Sequence, residues 1–149
     1  MKRFAATALT FALVLTAGYA YAFFGLFEDN TVTAENGVIS IPTAEVSDGQ
    51  AHHFSYETSG KTVKFFVIKS PDGVLRAAFD ACDVCWREGK GYSQQGAVMI
   101  CNNCGQQFHT TRINEVKGGC NPAPLERTVR DGNLIIKEAA LFEGMRYFL

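Results

Sequence analysis

The chain has 149 residues, about one domain's worth, and its 47% hydrophobic and 19% charged content is a globular balance that excludes collagen-like, coiled-coil and disordered chains. Fourteen Lys and Arg against fifteen Asp and Glu give a formal charge of −1, which lends no electrostatic support to nucleic-acid binding. All five cysteines fall between Cys82 and Cys120, a crowding that points to one site rather than a scattered disulfide framework.

Lys2 and Arg3 precede an uncharged stretch from Phe4 to Phe27, and Ala20-Tyr21-Ala22 has the small-x-small pattern that a signal peptidase cuts. Residues 1–22 are therefore predicted to be a signal peptide. At 24 residues the uncharged stretch also exceeds the roughly 20 needed to span a bilayer, so an uncleaved N-terminal membrane anchor is the alternative. Lipidation is excluded because no cysteine stands at the cleavage site. Either way the remainder is expected outside the cytoplasm, periplasmic or membrane-anchored. Removing 22 residues leaves 127, with 12 basic against 15 acidic side chains.

Residues 31–149 are predicted to form a single exported metal-binding domain, mainly β, of short antiparallel strands. Gly37, Asp48-Gly49, Ser59-Gly60, Pro71-Asp72-Gly73 and Asp131-Gly132 punctuate the chain. The runs between them, Val38 to Ile41, His53 to Tyr56, Thr62 to Ile68, Val74 to Phe79, Ala97 to Ile100 and Leu134 to Ile136, are rich in β-branched and aromatic residues. Ser59-Gly60 and Pro71-Asp72-Gly73 are predicted hairpin turns. Only Lys137 to Tyr147 has helical character.

The cysteines follow the pattern Cys82-x2-Cys85, fifteen residues, Cys101-x2-Cys104, fifteen more, and Cys120. Each C-x2-C knuckle aims two thiolates at one point, and superposing two such turns lets four sulfurs meet tetrahedrally. Cys82, Cys85, Cys101 and Cys104 are accordingly the predicted metal ligands. Gly105 permits the sharp turn after the second knuckle. Spacing alone favours structural zinc, with an iron–sulfur centre next. Disulfides would leave one thiol unpaired, and a thioredoxin-like dithiol lacks its following helix. Cys120, in Lys117-Gly118-Gly119-Cys120-Asn121-Pro122-Ala123-Pro124, is open to three roles: ligand, partner for a cysteine the metal leaves free, or small buried residue.

Three segments resemble the FtrD-like iron–sulfur membrane protein family: Phe79-Asp80-Ala81-Cys82-Asp83-Val84-Cys85, Ile100-Cys101-Asn102-Asn103-Cys104-Gly105, and Gly118-Gly119-Cys120-Asn121-Pro122-Ala123-Pro124-Leu125. The likeness runs from about Val38 to Lys137. It implies an iron–sulfur cluster held by Cys82, Cys85, Cys101 and Cys104 with Cys120 contributing to cofactor binding, and an electron-transferring role beside a bacterial iron-uptake or membrane redox system. Such a protein is an electron carrier rather than a catalyst acting alone. Its implied partner is a redox protein or a membrane permease subunit, because the chain lacks the Arg-Glu-x-x-Glu motif of iron permeases. A zinc-stabilised protein-binding module and a dithiol-disulfide protein are the rival functions.

The loops from Cys101 to Phe108 and Gly118 to Leu125 are also similar to the second ligand loop and proline-containing cover of Rieske domains. Rieske centres place two His on one iron, which lifts the potential to about −150 to +300 mV, against about −400 mV for all-cysteine plant-type [2Fe–2S] centres. Cys85 and Cys104 occupy the second positions here, so a low potential is expected of a [2Fe–2S] centre.

His52 and His53 are adjacent on a predicted strand and point to opposite faces; one is expected to be packed or hydrogen-bonded and the other solvated. His109 is expected on the surface, and Trp86 is expected to pack on the first cysteine loop. Arg87, Lys90, Arg112 and Lys117 flank the loops as a solvated rim or a guide for an acidic partner. No Ser-His-Asp order, paired carboxylates or phosphate-cradling glycine loop supports hydrolysis or nucleotide binding.

Overall fold

A computed structural model describes residues 30–149; the predicted signal peptide or anchor lies outside the described residues. Ten strands, one α-helix and four 3₁₀ turns make up the described chain. In order they are β1 (Thr31–Val32), β2 (Val38–Pro42), β3 (His52–Thr58), β4 (Lys61–Lys69), β5 (Leu75–Phe79), β6 (Tyr92–Gln95), β7 (Val98–Cys101), β8 (Gln107–His109), β9 (Thr128–Arg130), β10 (Asn133–Lys137) and α1 (Glu138–Gly144). They form three sheets, β1-β3-β4-β5, β2-β10-β9 and β6-β7-β8. Apart from β1, which pairs in parallel with β3, all neighbours are antiparallel. The fold is mainly β. No helix among the described residues is long and apolar enough to cross a membrane.

The β3–β4 hairpin turns at Ser59-Gly60, both at positive φ (49° and 74°), with Thr58 opposite Lys61. Positive φ at both central residues matches the right-handed twist of the flanking strands. The β4–β5 connection is a wider loop closed by Ser70, whose N–H donates to the Val74 carbonyl at 3.0 Å and whose hydroxyl donates to Asp72 at 2.6 Å.

Successive residues of a strand face opposite sides, and β4 is apolar on both. Val63, Phe65 and Val67 enter one core with Ile39, Ile41, Leu134, Ile136 and Leu141. Phe66 and Ile68 enter a second core with Cys82, Tyr92, Met99, Cys101 and Ile113. The four-stranded sheet thus packs β2-β10-β9 and α1 on one face and the cysteine-bearing β6-β7-β8 sheet on the other.

The predicted strand over Val74–Phe79 is β5, which starts one residue later, that over Ala97–Ile100 is β7, shifted by one residue, and the helical end divides into α1 and a 3₁₀ turn at Met145–Phe148. Strands β1, β6, β8 and β9 lie outside the predicted runs. β1 has only two residues, and the other three carry Ser93, Gln94, Gln95, Gln107, Thr128 and Arg130, so their pairing rests on backbone hydrogen bonds rather than an apolar pattern.

The chain from Asn114 to Leu125 is fastened along β5. Asn114 imitates a strand, its side-chain oxygen accepting from the Ala77 N–H at 3.1 Å and its amide donating to the Ala77 carbonyl at 2.7 Å. Further on, the Leu125 N–H donates to that same carbonyl, the Phe79 N–H to the Ala123 carbonyl, and the Ala123 N–H to the Ala81 carbonyl. Buried Arg76 adds an ion pair with Asp72 at 3.0 Å and a bond to the Thr111 carbonyl at 2.9 Å. These contacts carry the Cys120 loop up to Cys82.

Asn114→Ala should leave the Ala77 N–H and carbonyl without these partners and lower the unfolding free energy by about 1–3 kcal/mol, measured by urea denaturation. At Gly144 an added Cβ would lie 2.1 Å from the Phe79 ring. Gly144→Ala should therefore force α1 off the core and cost about 1–3 kcal/mol in the same assay.

Candidate metal centre

Strand β5 ends at Phe79, and Asp80-Ala81 leads straight into the first knuckle, Cys82–Cys85. A 3₁₀ turn at Trp86–Glu88 follows and stops at Gly89, which is left-handed at φ 62°. The Cys85 N–H donates to the Cys82 sulfur at 3.2 Å, the local bond a C-x2-C turn makes available. The second knuckle caps the β7–β8 hairpin. There the Gly105 N–H donates to the Cys101 carbonyl at 2.8 Å and the Cys101 N–H to the Gln106 carbonyl at 2.9 Å, with Gly105 at φ 74°.

Two tethers fix the knuckles to each other. The Asn102 N–H and side-chain amide donate to the carbonyls of Gly91 and Lys90 at 3.0 and 2.9 Å, and Lys90 donates to the Asn103 side chain at 3.1 Å. Asp80 accepts from the Tyr92 N–H at 2.7 Å, joining the start of β6 to the first knuckle. Gly91 is obligatory in this arrangement, since a Cβ there would lie 2.3 Å from the Asp80 carboxylate.

The sulfurs gather into two overlapping groups, Cys82–Cys85–Cys101 and Cys85–Cys104–Cys120, with all sulfurs of a group within 4.8 Å of one another. Cys85 belongs to both. Its sulfur stands 3.8 Å from that of Cys120, and all five cysteines are free of disulfides. The geometry therefore brings together the four predicted ligands and the fifth cysteine. No His or carboxylate belongs to either group.

Burial divides the thiols. Cys82 and Cys101 are 1% and 2% exposed, Cys85 and Cys120 are half-buried, and Cys104 is exposed. Burial pushes the Cys101 thiol up to about 11 and the Cys120 thiol up to about 12. At Cys82 burial acts in the same direction, yet hydrogen bonds from Tyr92 and from the Cys85 and Val84 amides outweigh it and hold the thiol below its ordinary value. At Cys104 the Gln106 amide is the main cause of a lowered value. A bound cation would displace the remaining protons, because thiolates rather than thiols are the ligands.

Tyr92 was not singled out from the sequence, and no local pattern marks it. Its hydroxyl donates to the Cys120 carbonyl at 2.6 Å and also contributes to lowering Cys82, so it touches the first knuckle and the Cys120 loop together. Burial, followed by the Cys82 sulfur, raises the tyrosine's own pKa and keeps it a hydroxyl. Asp83, within the first knuckle, accepts from Tyr147 at 2.7 Å, which binds the C-terminal turn to the loop.

The histidines stay outside the centre. His52 is paired with Asp48 at 2.8 Å, exposed His53 tilts over Phe66 with ring centroids 5.7 Å apart, and His109 bonds Thr111 at 2.8 Å. Trp86 packs against the larger core, with Arg87 stacked over its ring at 5.2 Å.

Five soft sulfur donors with no hard ligand suit zinc or an iron–sulfur group. The two three-sulfur groups share Cys85, and the one sulfur pair in hydrogen-bond range, Cys85 and Cys120 at 3.8 Å, already stands at the spacing that thiolates around a single metal ion adopt.

No curated protein matches the chain. Over 65% of its length it is similar to part of the quaternary ammonium Rieske monooxygenase CntA, seen in a crystal structure with an inhibitor, at 16% identity and a TM-score of 0.44. The match spans only 30% of that protein. The family model described as membrane iron–sulfur containing protein, FtrD-like, matches residues 46–148, which include both knuckles and Cys120. The chain belongs to the FtrD-like family of iron–sulfur membrane proteins.

Proposed function

We propose that the protein is an exported iron–sulfur electron carrier serving a bacterial iron-uptake or membrane redox system, with a redox protein or a membrane permease subunit as its partner. The observation that carries this reading is the convergence of all five cysteines in two sulfur groups joined at Cys85, in a chain of an iron–sulfur family. Cys82, Cys85, Cys101 and Cys104 are proposed as the ligands, with Cys120 as a fifth donor. Export is supported by the charged, apolar and small-x-small order of residues 1–22.

An iron–sulfur cluster bound here supplies one-electron redox chemistry. The chain's own residues do the rest. Cys82 and Cys101 are packed into the second core, while exposed Cys104 leaves an edge open to a partner. The Cys85 N–H donates to the Cys82 sulfur at 3.2 Å, and a donor of this kind stabilises extra negative charge on a ligand.

Anaerobically purified protein should contain iron and acid-labile sulfide and absorb in the visible range. Colourless protein carrying only zinc would sink the proposal in favour of a binding module, and metal-free protein with titratable thiols would favour a dithiol role. Because Cys85 belongs to both sulfur groups, Cys85→Ser should abolish the centre; full retention of iron in that variant would remove Cys85 from the ligand set. Tyr92→Phe removes the bond from its hydroxyl to the Cys120 carbonyl and should lower the unfolding free energy by about 0.5–1.5 kcal/mol, measured by urea denaturation.

A further inference from the structure

Beside the sulfur groups lies a cleft of about 510 Å³, within the roughly 300–1,000 Å³ range of small-molecule sites. Its wall includes Cys82, Cys85 and Cys101 but neither Cys104 nor Cys120. The centre therefore has one side toward the cleft and another, at exposed Cys104, toward solvent.

Four cationic side chains, Lys61, Lys64, Arg87 and Lys90, line this cleft, against one acidic side chain, Asp80. The whole chain carries a formal charge of −1, so the cationic surplus is local to this concavity. Asp80 accepts from the Tyr92 N–H at 2.7 Å and faces His53 at 3.8 Å, and its charge also acts on Lys64, which leaves three of the four cations without an acidic neighbour in the wall. Lys64 and Arg87 are exposed at the rim, and Lys61 and Arg87 form no ion pair among the described residues. Trp86, with Arg87 over its ring, and Tyr147 stiffen the wall. Low-dielectric walls around a cluster of one sign focus its field on whatever enters. The concave shape favours a small molecule over the flatter contact a protein partner makes.

We propose that this cleft binds a small organic polyanion, carrying two or more carboxylate or phosphate groups, against the Cys82–Cys85–Cys101 side of the sulfur cluster. The proposal rests on the function above only in placing that anion beside a redox centre; its binding follows from the charge and shape of the cleft.

The test uses the protein as purified, with metal content measured before and after, so that a missing centre is told apart from missing binding. Tricarballylate, a tricarboxylate without the chelating hydroxyl of citrate, and inorganic phosphate are each titrated by calorimetry. Emission of Trp86, the only tryptophan in the chain, is followed in parallel. Saturable binding of at least one anion at constant metal content is expected, and the tighter of the two identifies carboxylate or phosphate as the natural chemistry. Raised ionic strength should weaken it. Lys64→Glu combined with Arg87→Glu should weaken it at least about tenfold, a loss of about 1.4 kcal/mol, with the metal-to-protein ratio unchanged. Equal binding by that variant, or no saturable binding of either anion to metal-loaded protein, would overturn the proposal. Binding of polyglutamate alone would also overturn it, assigning the surface to an acidic protein.

Discussion

Phe65 and Val67 on one face of β4, and Phe66 and Ile68 on the other, leave that strand without a solvent side over these four residues. Each face seals a different core. A fully buried side chain of this size contributes about 1.5–3 kcal/mol, and here the burial does two jobs. One face closes the scaffold of β2, β10 and α1. The other supplies the apolar floor on which Cys82, Cys101 and Tyr92 sit. The cysteine-bearing sheet is short and rich in polar residues, so this floor gives it a fixed position that its own strands do not.

The site built on that floor is electrically uneven. Two thiols are driven toward the neutral form by burial, and two are drawn toward the thiolate by amide and hydroxyl donors. Such a site resists accumulating negative charge unless a cation compensates it, and apolar surroundings raise the penalty. The asymmetry is also one of exposure, because Cys104 is open to solvent while Cys82 and Cys101 are buried. Lys61, Lys64, Arg87 and Lys90 line the cleft that borders Cys82, Cys85 and Cys101.

Much of this was legible in the sequence, and physical reasons separate what was from what was not. The C-x2-C knuckles and Ser59-Gly60 are local devices whose geometry is dictated within four residues. The mainly β character followed from β-branched runs such as Thr62 to Ile68. Strand β6 escaped because Gln94 looks like loop; its side chain in fact accepts from the Ala51 N–H at 2.6 Å and donates to the Gly49 carbonyl at 2.9 Å, a long-range bond with no local trace. Tyr92 and Asn114 were equally silent, since each acts on a residue 28 or more positions away. The place of Cys120 was left among three roles for the same reason. Its approach to Cys85 depends on residues 121–125 running along β5, which spacing does not encode.

The double fastening of the Cys120 loop has an entropic consequence. Asn114 and Ala123 are both bonded to the β5 region, so the intervening residues begin and end on a rigid strand. Fixing a backbone residue costs roughly 1–2 kcal/mol, and for this loop much of that ordering is met when the sheet forms rather than when a ligand arrives. On the proposed reading, a group captured by the sulfurs finds Cys120 already delivered, and less of the binding energy is diverted into ordering chain. Pre-organisation of this kind would make capture of the group less dependent on search by a mobile loop, and would tie the readiness of the site to the integrity of a strand that carries none of its sulfurs.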